Sequence, residues 1–192
     1  MMKSSSRKLN IAIVAGRFPV FSETFVLAHI TDLINQGHQV DIYALEKGDQ
    51  AEHKQFAQYQ YSQKVVYLDA YIKANKVYSQ YRREIIKLIF THPLFVLPRL
   101  PLFFKFGFYN AAVALIKGKL FLKKRYDVVH CHFGPVANEM LFLMEIFPKT
   151  KLVTTFHGQD LSRIFSFERE GFYQKLFAKG DLFLPISRHF QQ

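Results

Sequence analysis

Short apolar runs alternate along this chain with longer stretches of helical periodicity, and that alternation restricts the fold more than any other feature. Leu9 to Ala15 is an aliphatic run ending in Gly16, which reads as a buried parallel strand feeding a tight turn. Phe25, Val26, Ile30, Leu33 and Ile34 then recur at helical spacing, with Ser22 placed to cap the helix and Gly37 to stop it. Gln39 to Leu45 is a second strand, and strand, helix and strand with short links predict a right-handed crossover in a parallel sheet. Further short strands are expected at Lys64–Leu68, Tyr126–Cys131, Leu152–Phe156 and Leu182–Ile186. Glu46 to Gln63 is polar without a sustained period, an irregular or partly helical excursion. Residues 71–125 read as a helical insertion, helical through Phe90, broken at His92-Pro93, Pro98 and Pro101, and resuming near Gly107. The expected class is α/β, a parallel sheet with helices on both faces and this helical insertion, in a single domain spanning residues 1–192.

Charge and cysteine content narrow the partners. Lys and Arg number 26 against 15 Asp and Glu, a formal charge of +11, so the surface attracts polyanions such as acidic headgroups or phosphorylated substrates. No nucleic-acid-binding signature accompanies these cations, and nucleic acid is not an expected partner. Cys131 is the only cysteine, which rules out an internal disulfide and fits a cytoplasmic setting. The basic start MMKSSSRKLN is followed only by Ile11 to Gly16 before Arg17, and so lacks the apolar core of a signal peptide. The most apolar region, Ile85 to Leu122, is interrupted by Lys87, Arg99, Lys105, Lys117 and Lys119, and no spanning helix is expected.

Three predicted strands end in loops that carry chemistry, and parallel sheets place their ligands at that edge. The first loop holds Gly16, Arg17, Ser22 and Glu23, where a glycine permits close backbone approach and a helix N-terminus attracts an anion. It lacks the GxGxxG pattern of a dinucleotide site. The second, His130-Cys131-His132-Phe133-Gly134-Pro135, places His130 and His132 on one face of a strand. Two such ligands are too few for a metal, so none is expected; His132 and Gly134 are read as cleft lining, and His130 alternatively as a hydrogen-bonded core residue. The third, Thr154 to Asp160, carries His157 beside Gly158, exposed enough for proton handling or for a hydrogen bond to a sugar hydroxyl. Asp160 belongs to the same tip. With no GxSxG elbow, a hydrolase of that type is not supported.

The ordered set FPVFSETF, GHQVDIYAL, DVVHCHFG, TTFHGQD and LFLPISRHF resembles the N-terminal half of glycosyltransferase family 4 proteins, above all those making bacterial exopolysaccharide and colanic acid. The resemblance covers nearly the whole chain outside the helical middle. It implies a Rossmann-like sheet forming one half of a GT-B fold, and a retaining hexosyltransferase that moves a sugar from a nucleotide-sugar to a lipid-linked or polysaccharide acceptor. The nucleotide-sugar is then a substrate, and no cofactor is implied. By the same resemblance His157 faces the donor sugar as the catalytic histidine, Gly16 lies near the donor phosphates, and the acceptor hydroxyl loses its proton to the leaving diphosphate. The donor-binding basic and acidic residues of such enzymes belong to a C-terminal domain that this sequence does not contain, so the chain is expected to act only with that domain or a partner chain.

The insertion combines aromatic and basic residues, among them Phe103, Phe104, Lys105, Lys117 and Lys119, which read as a surface for anionic lipid at the inner face of the cytoplasmic membrane. The alternative for this surface is that the aromatics pack the domain or cover the missing partner domain, with the lysines solvated at the rim. The alternative for the function is a catalytically inactive module that docks on a membrane or a partner.

Overall fold

The computed structural model describes residues 7–48, 65–68, 78–158, 160 and 171–187. Six parallel strands form one sheet: β1 (Asn10–Phe18), β2 (Gln39–Lys47), β3 (Val65–Tyr67), β4 (Val128–His132), β5 (Lys151–Phe156) and β6 (Leu182–Pro185). Their order is β3-β2-β1-β4-β5-β6, and every neighbouring pair is parallel. This is the doubly wound order of a Rossmann-like sheet, with the order of strand addition reversing between β1 and β4. All six expected strands are present. Most of the polar excursion after Lys47, the start of the insertion at 71–77 and the segment after Ser187 lie outside the described residues.

Burial on both faces explains the aliphatic character of the central strands. On β1, Ile11, Ile13 and Ala15 pack with Val26, Leu27 and Ile30 of α1 (Thr24–Asn35), while Ala12 and Val14 join the opposite core. That second core contains Val136, Ala137, Met140 and Leu143, from α5 (Gly134–Met140) and α6 (Phe142–Ile146). Leu176 of α7 (Gln174–Lys179) completes it. The sheet is thus covered on both sides, as a parallel sheet requires.

Two local expectations shift. β1 does not turn at Gly16; it runs on to Phe18, and the turn falls at the cis Phe18–Pro19 peptide. Ser22 does not cap α1, because it lies in a 3-10 turn (Phe21–Glu23) and Glu23 occupies the N-cap without a side-chain hydrogen bond. The stop at Gly37 holds, with φ of 84° and the paired bonds Gly37 N–H to Ile34 O and His38 N–H to Leu33 O.

The insertion forms the crossover from β3 to β4. It comprises α2 (Tyr78–Thr91), α3 (Pro93–Val96) and α4 (Pro101–Lys119). Pro101 opens α4 rather than breaking a helix, since a proline at the first turn loses no internal hydrogen bond. The break lies at Gly107, whose φ of 75° is non-helical. These helices share their own core, Tyr81, Ile85, Leu88, Val96, Leu102 and Leu115, and reach the rest of the domain through Ile146. No single helix among the described residues is long and apolar enough to cross a membrane; the two segments Pro93–Arg99 and Pro101–Lys123 pass that test only jointly, bent by 109°.

Gly134 shows how tightly α5 meets the sheet. A Cβ there would lie 2.5 Å from Phe156 Cε1 and 2.6 Å from Tyr173 Cε1, so two aromatic rings occupy the space of a side chain. Gly134→Ala is expected to lower stability by about 1–3 kcal/mol through overpacking. Denaturant unfolding checks this, and wild-type stability would contradict it.

Candidate functional site

The reversal of strand order between β1 and β4 opens the sheet's carboxyl edge at their ends, and the residues with reactive side chains gather there. In the β4–β5 register His130 sits opposite Val153 and His132 opposite Thr155. Side chains alternate across a strand, so His130 and His132 both face α1. Phe25 and His29 are one helical turn apart on α1 and reach the same place.

Four imidazoles meet there. His132 is hydrogen bonded at both ring nitrogens, Nε2 lying 3.1 Å from His29 Nδ1 and Nδ1 lying 3.2 Å from His157 Nε2. His130 Nε2 lies 2.7 Å from Thr155 Oγ1, and its ring stacks on that of His132 at 5.1 Å. A neutral imidazole carries one donor and one acceptor, so the chain His29–His132–His157 couples the tautomers of all three rings.

Burial keeps this cluster uncharged. His130 is held down to about 3 and His132 to about 2, first by desolvation and then by the neighbouring imidazoles. His157 and His29 are also lowered by burial, His29 against the opposing charge of Asp32.

His157 emerges at the tip of β5, half-buried, with its ring between Phe25 at 4.4 Å and Phe133 at 4.5 Å between centroids. Phe133 reaches it from a backbone with φ of 76°, a conformation costly for a phenylalanine, while its N–H donates to Thr155 O. This strained residue leads directly into α5.

The other predicted site residues divide. Glu23 is half-buried and lines a small pocket with Phe18, Pro19, Val20 and Leu27, its Oε2 buried without a hydrogen-bond partner among the described residues. Desolvation raises its pKa and the Arg17 guanidinium opposes that shift. Arg17 is partly exposed and lies 3.8 Å from Glu46. Ser22 is exposed, and Gly158 is half-buried beside His157. Gly16 lies within the strand, where a Cβ would make an ordinary 3.4 Å contact with Val136 Cγ2. Gly134 and Asp160 are turned toward each other, since the Gly134 N–H donates to the buried Asp160 Oδ2 at 2.8 Å and Tyr173 OH donates to Asp160 O. Their contacts hold the β5 tip against the start of α5.

Sequence reasoning missed His29, Phe25 as cleft lining, Phe133 and Thr155. Phe25 counts in the apolar stripe of α1, yet it stands at the stripe's edge, and a histidine four residues on was the available signal. A cavity of about 430 Å³ lined by Arg99, Phe121, Tyr126, Phe147 and Lys149 lies instead at the amino ends of β4 and β5, away from these histidines.

Among the insertion residues, Phe104 is 94% exposed and Lys119 is exposed, whereas Phe103 is half-buried against Phe108. Lys105 pairs with Glu145 at 2.8 Å, and Lys117, only 12% exposed, lies 3.9 Å from Glu139.

Comparison with known proteins places this architecture. Residues 22–192 match the sequence profile described as Glycosyltransferase Family 4. The chain is 34% identical over 193 residues to the amylovoran biosynthesis glycosyltransferase AmsK of Erwinia amylovora, covering 95% of this chain and 46% of that protein. It is 35% identical over 186 residues to the putative colanic acid biosynthesis glycosyltransferase WcaL of Salmonella typhimurium, covering 93% and 45% respectively. Against WcaL of Escherichia coli it is 35% identical over 178 residues, 89% of this chain and 43% of the relative. The chain therefore spans somewhat under half the length of the curated relatives it matches. With a parallel Rossmann-like sheet and a family match across nearly all of its sequence, the chain belongs to glycosyltransferase family 4.

Proposed function

We propose that this chain forms the acceptor-side half of a retaining glycosyltransferase of GT-B architecture, transferring a hexose from a nucleotide-sugar to a lipid-linked or polysaccharide acceptor in exopolysaccharide synthesis. The relatives' names supply the biosynthetic context, amylovoran and colanic acid. Their greater length leaves room for a second, donor-binding domain facing the carboxyl edge of this sheet. The observation that carries the reading is His157, presented at that edge between two phenyl rings and tied from behind to His132.

In this reading the bond from the anomeric carbon to the diphosphate oxygen breaks while the acceptor oxygen bonds to the same face of that carbon. The acceptor proton passes to the leaving diphosphate, and no protein nucleophile takes part. His157, kept neutral by burial, hydrogen bonds a hydroxyl of the donor sugar and orients it; Phe25 and Phe133 shield that contact from water. Glu23, with its unsatisfied buried carboxyl oxygen, is placed to take a hydroxyl of the incoming substrate.

The same proposal seats the domain on the cytoplasmic face of an anionic membrane through its helical insertion. Phe90, Leu94 and Phe104 are 82%, 89% and 94% exposed, and Arg82, Arg83 and Lys87 are exposed on α2 beside Phe90. A side chain of this size yields about 1.5–3 kcal/mol when fully buried in an apolar phase, so three suffice for peripheral binding. Phe104 and Lys119 remain in the proposed contact set, and α2 joins them.

His157→Ala in the full-length protein is expected to reduce sugar transfer at least a hundredfold with an unchanged circular dichroism spectrum; unaltered turnover would remove the assigned role. Phe90→Ser, Leu94→Ser and Phe104→Ser combined are expected to weaken binding to phosphatidylglycerol vesicles at least tenfold in a flotation assay. Equal binding by the triple variant would contradict the membrane seat.

A further inference from the structure

We propose that His29, His130 and His132 form a binding site for one divalent transition-metal ion, Zn(II) being the best match to three imidazole ligands. The inference stands apart from the transferase reading, because it concerns only what these side chains can hold.

One ring nitrogen from each of the three residues lies within 4.8 Å of the others. Zinc bonded to imidazole nitrogens at about 2.0–2.1 Å in a tetrahedron sets those nitrogens about 3.3–3.4 Å apart. His29 Nδ1 and His132 Nε2, 3.1 Å apart, are already near that spacing, and with His130 the three rings keep one nitrogen each within 4.8 Å of the others. The proton shared by these two nitrogens occupies the place an ion would take, and the third imidazole converging there supplies the further ligand that a metal, unlike a proton, can use.

The surroundings are those of a metal site. A ligating histidine characteristically commits its second nitrogen to a hydrogen bond that fixes its orientation. His132 directs Nδ1 at His157 Nε2, and His130 directs Nε2 at Thr155 Oγ1. His130 and His132 are buried on β4, a rigid central strand, whereas His29 is half-buried on α1. Two ligands are therefore fixed and the third closes over the ion from a helix. Asp32, one turn further along α1, acts electrostatically on His29 and adds attraction for a cation. The sequence offered only the His130/His132 pair, which is why no metal was expected there; the third ligand lies about 100 residues away and becomes visible only once α1 packs on β4.

An ion in this place pins α1 to β4. It also makes His132 Nδ1 the donor to His157, leaving His157 Nε2 as acceptor and its Nδ1–H free to donate.

Isothermal titration of chelator-stripped, untagged, full-length protein with Zn(II), and absorbance titration with Co(II), test the site. The expected result is one ion per chain, a micromolar or tighter Kd, and a tetrahedral Co(II) spectrum. His29→Gln, on the half-buried helix, is expected to lose at least a hundredfold in affinity while keeping its circular dichroism spectrum, whereas His92→Gln on the insertion binds as wild type. A folded wild-type protein that takes up no Zn(II), or a His29→Gln variant that binds it undiminished, overturns the proposal. Because the readout is metal uptake, these outcomes stand independently of whether the protein transfers a sugar.

Discussion

The pairing of β1 with β2 on one side and β4 on the other is the constraint on which the rest depends. β1 matches Ile11 to Val40 and also Ile11 to Val128, so strands from distant parts of the sequence meet on one ladder. Apolar side chains cover both its faces, which fixes α1 on one side and α5 with α6 on the other. The chain reverses its order of addition at this strand, and the helices that follow β1 and β4 diverge to opposite faces. A crevice is left at the carboxyl ends, independent of any particular loop sequence. His157, His132, Phe133 and Phe25 occupy that crevice because of topology, and chemistry follows from the residues placed there.

Inside the crevice, burial dominates the electrostatics. Four imidazoles lie close together in a chain of high formal positive charge, an arrangement that would be self-repelling if they were protonated. Desolvation holds them neutral, and neutrality lets each ring act as donor and acceptor in a connected chain. Among the described residues the lysines and arginines mostly stay at the surface or in ion pairs, as Lys105 and Lys179 do around Glu145, while the part-buried Arg99 donates to the carbonyls of Phe95 and Ile146. The molecule thus separates a neutral, hydrogen-bonded cleft from a cationic, aromatic exterior.

Much of this was legible in the sequence. The six strands are short and largely apolar, bounded by glycine or polar turns, so their existence and parallel direction followed from pattern, while their order in the sheet did not. His132 and His157 were singled out because each stands at the end of a strand, which is where the structure places them. Other features depended on tertiary packing that pattern cannot express. Gly16 looked like a turn, but pairing of Arg17 with Glu46 and Phe18 with Lys47 carries the ladder past it. Gly134 and Asp160 looked like ligand contacts, yet Phe156 and Tyr173 need the glycine's missing side chain and the aspartate holds its N–H. His29 read as one more position on an amphipathic helix, and its role emerges only from the packing of α1 against β4.

The central claim is that the crevice around His157 receives the donor sugar. Site-resolved labelling of histidines with diethyl pyrocarbonate, followed by mass spectrometry in the full-length protein with and without a panel of nucleotide-sugars, tests it most directly. The account predicts that the nucleotide-sugar turned over by the enzyme slows modification of His157 at least tenfold and leaves His92 unchanged. An unaltered rate at His157 under conditions of turnover would contradict it.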